Sequence, residues 1–197
     1  MENETPTDGT QYNLVWIDCE MTGLDLESNK IIEIAVVLTD DDLVEIKYGP
    51  TLQIRVDDED LINVEEWSAI THAESGLIDL IKSQGVPINK AEEIIHDFLE
   101  KNLSKKQKQR FIDEGKPPYE LCGNSVWHDL FFMRKETPKV LQLIKPVPIL
   151  DVSSIALNES MINPDYKPFD KKRTHRALDD IKESIDELRY LRSLHWD

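Results

Sequence analysis

A chain of 197 residues, 40% hydrophobic and 31% charged, has the size and composition of one globular domain with a substantial core. Its 39 acidic against 23 basic residues leave a formal charge of −16, which argues against a surface built to neutralise the many phosphates of a long polyanion. No apolar run reaches the ~20 residues that cross a bilayer, so no membrane association is expected.

Residues 1–11 read as a disordered acidic tail, and 12–197 as a single domain. The tail has neither a signal-peptide nor a transit-peptide pattern, so a cytosolic chain is expected, or a mitochondrial one whose presequence was removed. Asn13–Asp18 (NLVWID) is a short apolar run ending in acids, the pattern of a buried strand that opens into a site. Lys30–Thr39 is rich in Ile and Val, and Val44–Tyr48 with Thr51–Val56 continues the strand signal after an Asp40-Asp41-Asp42 turn. Helical periodicity follows over Asp58–Trp67, Ser75–Lys82 and Asn89–Asn102, the last with Asn89 and Glu92 spaced as a capping box. The basic run Lys105–Arg110 reads as a solvated helix face. Tyr119–Gly123 is a strand, Trp127–Lys135 a helix, Pro146–Leu150 a short strand, Val152–Met161 a helix and Arg176–His195 a long terminal helix. Strands first, then strands alternating with helices, specify an α/β fold with a mixed sheet flanked by helices. Cys19 and Cys122 lie in apolar strand-like runs and read as buried free thiols.

Three clusters carry chemistry. Asp18 and Glu20 lie two apart on a strand, so both face one side while Cys19 faces the other. Two carboxylates held together repel unless a cation lies between them, which suits a hard divalent ion. Asp129, in NSVWHD, falls in the first turn of a helix, where an acid is also favoured by the helix dipole. In HRALDD, His175 and Asp180 are five apart, about 140° on one regular helix. They converge only if His175 sits in the preceding loop and Asp180 in the first turns; Asp179 then points outward.

IDCEMTGLD, GNSVWHD and THRALDDIKESI, in this order, resemble the three motifs of the DEDDh exonucleases. The flanking text, including EEWSAITHAESGL and LDVSS, narrows the resemblance to the oligoribonuclease family and extends it from Asn13 onward. It implies a ribonuclease H-like fold on a mixed five-stranded sheet, and 3′→5′ hydrolysis of very short single-stranded RNA to nucleoside 5′-monophosphates. It further implies two divalent metal ions, Mg²⁺ or Mn²⁺, held by Asp18, Glu20, Asp129 and Asp180, with His175 as general base, and a homodimer. Substrate contacts carried over by position are Leu24 as a wedge between bases, Trp67 and His72 around the 3′ nucleotide, and Ser125 and Ser153 near the 5′ phosphate.

The chain departs from the family in two places, one of them at Leu130 and Phe131, which stand where members often carry basic residues after the aspartate. Where members carry an Arg and a Tyr that cap the 5′ phosphate from the partner subunit, it reads Leu143–Ile149 (LIKPVPI). Lys145 is the only cation there, with the Lys171-Lys172-Arg173 run as another source of charge. The expectation is an intact reaction with a weakened preference for dinucleotides. The motifs alone leave open a related exonuclease acting on DNA ends or RNA 3′ tails, and a non-catalytic module would have lost a carboxylate that this chain keeps.

Overall fold

The computed structural model describes residues 11–62, 66–172 and 174–195, with only the backbone described at 62 and 66–69. Its centre is a five-stranded sheet in the order β3-β2-β1-β4-β5. β1 (Leu14–Met21), β2 (Ile31–Thr39) and β3 (Ile46–Gln53) form an antiparallel meander. β4 (Tyr119–Gly123) and β5 (Ile144–Asp151) add on parallel to β1. All nine residues of β2 are buried, as a continuous Ile/Val run covered on both faces requires.

Alternation divides the core. Val15, Ile17, Ile34 and Val36 point to one face, against Ile95 and Leu99 of α4 (Ile88–Lys101) and Phe132 and Met133 of α6 (Trp127–Glu136). Trp16, Ala35 and Val37 point to the other, against Val152 of α7 (Val152–Ile162) and Ile181, Ile185 and Leu188 of α8 (Ala177–Ser193). Each fully buried aliphatic side chain here contributes about 1.5–3 kcal/mol. Trp16 is fully buried and still satisfied, its indole N–H donating to Thr39 Oγ1 at 3.0 Å. Cys19 and Cys122 are buried free thiols, as expected. Among the described residues no helix is long and apolar enough to cross a membrane.

Several boundaries differ from the sequence expectation for local reasons. The two strand signals at 44–48 and 51–56 are one strand running through Gly49-Pro50. β3 is an edge strand, which tolerates proline, and its ladder shifts register opposite Ala35–Val37. A Cβ at Gly49 would lie 2.6 Å from the Phe98 ring, so the strand approaches α4 more closely than any other residue permits. The helix expected over 58–67 is α1 (Asp58–Ile62), then α2 (Glu66–Glu74), with 63–65 outside the described residues; α3 (Leu77–Gln84) follows. Asn89 is not a cap: α4 starts one residue earlier behind Pro87, and Glu92 instead accepts from the Lys139 N–H at 2.7 Å. The capping box that does form is Ser104–Gln107, at the head of α5 (Lys105–Glu114), whose basic side chains are exposed.

Candidate active site

β1 and β4 pair only over Leu14–Trp16 and Glu120–Cys122. β4 ends one residue beyond that pairing, at Gly123, and the chain there leaves β4 for α6 at the carboxyl ends of the strands, the usual place for a crevice and a site in such sheets. The turn is tight: a Cβ at Gly123 would meet Val126 Cβ at 2.9 Å and the Ile17 carbonyl at 3.1 Å, and Ser125 takes a left-handed φ of 49°. This geometry starts α6 beneath β1. Asp129, in its first turn and buried, accepts the Cys19 N–H at 2.7 Å, between Asp18 and Glu20.

The third cluster arrives on α8. His175 sits in the loop before the helix with φ 52°, and Asp180 lies in the first turn, the arrangement the five-residue spacing demanded. One carboxylate oxygen each from Asp18, Glu20 and Asp180 lies within 4.8 Å of the others. His175 is close enough for its charge to depress the Asp180 pKa and, with burial, that of His72. Asp179 pairs with Lys182 on the outer face of the helix, as expected.

Burial, and then mutual repulsion, raises these acids out of their ordinary range. Asp18 is pushed well above it by burial and by the Asp129, Glu20 and Asp180 charges, and Glu20 rises to about 8 through burial and the Asp180, Glu33 and Asp129 charges. Burial lifts Asp129 to about 7 against the Cys19 hydrogen bond, and Asp180 to about 6. Carboxylates held this close disfavour one another's ionised form unless positive charge is supplied. Hard oxygens, clustered and short of positive charge, are the donor set that divalent Mg²⁺ or Mn²⁺ prefers. A second group, His96, Asp97 and Glu100, lies mostly exposed on α4 and has the look of an ordinary solvated helix face.

Of the expected substrate residues, His72 has a direct distance to a site carboxylate. Leu24, 61% exposed, stands on the loop after β1. His72 on α2 is buried, with Nε2 2.9 Å from the Met21 carbonyl and Nδ1 3.9 Å from Glu20 Oε2. Trp67 lies on α2, but its side chain is outside the described residues. Ser125 and Ser153 come together, Oγ to Oγ 3.3 Å, because Asp151 Oδ1 accepts both backbone N–H groups at 3.0 and 2.9 Å. At the departure from the family pattern, Pro146, Val147 and Pro148 of β5 are exposed, and Lys145 is drawn into an ion pair with Glu120 on β4. Lys171 is likewise engaged, 2.5 Å from Glu187, and Arg173 lies outside the described residues. Lys145 and Lys171 are thus already paired, while the Lys172 side chain is exposed.

Three polar residues escaped the sequence reading. Buried Glu33 pairs with half-buried Arg176 at the head of α8, and Asp151 orders the serine pair. A lone acid inside KIIEIAVVLT is a legible signal, because a buried carboxylate needs a partner. Asp151 left no such signal, since an acid at a helix start is ordinary.

The sequence profile of the Exonuclease family matches residues 15–188. The chain is 42% identical over 180 residues to an oligoribonuclease of Francisella tularensis subsp. tularensis, covering 91% of this chain and 94% of that protein. It is 41% identical over 190 residues to an oligoribonuclease of Paraburkholderia xenovorans, covering 96% and 86%. Among solved structures it resembles the zinc-bound E. coli exonuclease I–ssDNA complex at 10% identity and TM-score 0.68. Exonuclease I of Methylocaldum szegediense matches at 15% and 0.67. The alignments cover 94% and 92% of this chain but only 41% and 40% of those longer chains, so the likeness speaks to fold alone.

Proposed function

This chain belongs to the oligoribonuclease family of the exonucleases, and from that premise we propose how its residues carry the reaction. It is a metal-dependent 3′→5′ exoribonuclease that degrades short RNA to nucleoside 5′-monophosphates, with two divalent metal ions as cofactors. In our reading Asp18, Glu20, Asp129 and Asp180 would hold the ions, which when bound would supply Lewis-acid activation of the attacking water and charge stabilisation at the phosphate. His175 takes the proton from the attacking water, a role suited to imidazole near neutral pH. The observation that carries this reading is the meeting of Asp18, Glu20 and Asp180 oxygens within 4.8 Å, with Asp129 bonded to the backbone N–H of Cys19, the residue between the first two in the chain.

Leu24 wedges between the terminal bases, Trp67 and His72 flank the 3′ nucleotide, and the Ser125 and Ser153 hydroxyls meet the 5′ phosphate. Without an Arg fork at β5, the 5′ phosphate is held less tightly than a bidentate charge-assisted contact would hold it. Residues 12–197 act as one domain in this reading. The partner is a second copy of the chain, joined at the β5 edge, where Trp127, Phe131, Val147, Leu157, Met161 and Ile162 of α6, β5 and α7 expose large apolar side chains. Two buried free thiols fit a cytoplasmic, reducing setting.

The function is tested by digesting end-labelled RNAs of two to ten nucleotides with Mg²⁺ and with Mn²⁺. Stepwise loss of 5′-monophosphates from the 3′ end is expected, and endonucleolytic products or metal-independent cleavage would refute it. Sedimentation at micromolar concentration tests the dimer: a lone 22.8 kDa species would refute it.

A further inference from the structure

Glu33 is fully buried in the middle of β2, directly across the ladder from Glu20. A buried carboxylate needs compensation, and four groups supply it. Arg176 Nη2 donates to Oε1 at 2.8 Å, Arg176 Nε reaches both oxygens at 3.3 Å, the Ala177 N–H donates to Oε2 at 2.9 Å, and Gln53 Nε2 donates to Oε1 at 2.7 Å. α8 has no side-chain N-cap of its own, so Glu33 caps it from a neighbouring strand.

The residue immediately before Arg176 is His175, held at φ 52°, a conformation that side chains other than glycine rarely adopt and keep only when their surroundings impose it. The two residues on its C-terminal side are anchored, Arg176 by its side chain and Ala177 by its N–H, both to one carboxylate of the central sheet. That carboxylate sits on the strand paired with β1, which carries Asp18 and Glu20.

We propose that the Glu33–Arg176 pair is a positioning device for His175. It fixes the left-handed turn at the head of α8 and so sets the imidazole at one distance from the carboxylates and the water they help to order. This rests on His175 being the general base. The planar guanidinium matters because two nitrogens engage one carboxylate, whereas a lysine offers a single point charge. A displacement of about 1 Å at a reacting group costs up to roughly a hundredfold in rate.

The test is R176K, and beside it the charge-free doublet E33Q/R176Q, each made in the wild-type chain and in an H175A background. In the wild-type chain both are expected to lower kcat roughly ten- to a hundredfold. KM for a short RNA should stay within about twofold, and the Mg²⁺ concentration for half-maximal activity should be unchanged. In H175A chains, measured at high enzyme concentration, neither change should cost anything further, because the residue they position is gone. If R176K fails to fold, the doublet, which leaves no unpaired buried ion, decides. Wild-type kcat in the variant that folds would overturn the proposal. So would a loss that persists at full size without His175, or a shifted Mg²⁺ requirement, which would place the pair in the metal site. Near-normal kcat in H175A alone would show that the general-base reading itself had failed, and the proposal with it.

Discussion

The crevice at the end of β1 and the edge formed by β5 are built on opposite principles. In the crevice the acids are buried or half-buried, and several polar groups are held by named partners: Asp129 by the Cys19 N–H, Glu33 by Arg176, and the α8 head by Glu33. At the β5 edge, prolines and a valine face solvent, and the nearest cation is committed to Glu120. On the proposed function the contrast separates bond cleavage from substrate-length selection. The first rests on partly buried carboxylates and their partners, and the second on exposed side chains at the β5 edge.

The largest effect should come from breaking the crevice. D129N keeps the size of the side chain and its acceptor for the Cys19 N–H but removes a charge, so turnover should fall to background while the chain stays folded. Turnover near wild type at saturating Mg²⁺ would remove Asp129 from the metal site. H175A should follow, with kcat lowered by about 10²- to 10⁴-fold, the range of a lost general base. Single-turnover kinetics with a dinucleotide separate that loss from slow product release.

A third prediction concerns protons. Glu20, Asp129 and Asp180 have folded pKa values of about 8, 7 and 6, above the roughly 4 expected when unfolded. A raised carboxylate pKa means that the folded state binds more protons, so metal-free stability falls as pH rises between those limits. Tm without metal should therefore be lower at about pH 8 than at about pH 5, and Mg²⁺ should raise Tm more at the higher pH, where cations replace protons. Equal Mg²⁺ effects at both would contradict the shared carboxylate site. The smallest effect belongs to the edge. S153A should raise KM roughly tenfold for a 5′-phosphorylated dinucleotide, the cost of one hydrogen bond to a charged group. The same substitution should leave the 5′-hydroxyl dinucleotide unaffected, and equal losses on both would detach Ser153 from the phosphate.

Much of this arrangement was legible in the residues. Alternation placed Asp18 and Glu20 together, and the five-residue spacing forced His175 into a loop before α8, both consequences of backbone periodicity alone. What stayed hidden depended on tertiary partners. Asn89 and Glu92 have the spacing of a capping box, yet Pro87 starts the helix earlier and Glu92 serves Lys139 instead. Gly49-Pro50 reads as a break but is an edge-strand irregularity that α4 packs against. Asp151 gathers Ser125 and Ser153 from positions 28 residues apart, a contact that no local pattern records.

Separation of the two regions is tested most directly by kcat/KM for 5′-phosphorylated RNAs of two, three, five and seven nucleotides under one Mg²⁺ condition. A crevice that is complete and an edge without its cationic cap predict efficient turnover of the dinucleotide, with a preference over the five-mer below about a hundredfold, since one lost charge-assisted contact is worth about 1.5–3 kcal/mol. A dinucleotide preference well above a hundredfold would mean that this chain caps the 5′ phosphate by other residues, and that cleavage and length selection are not built apart.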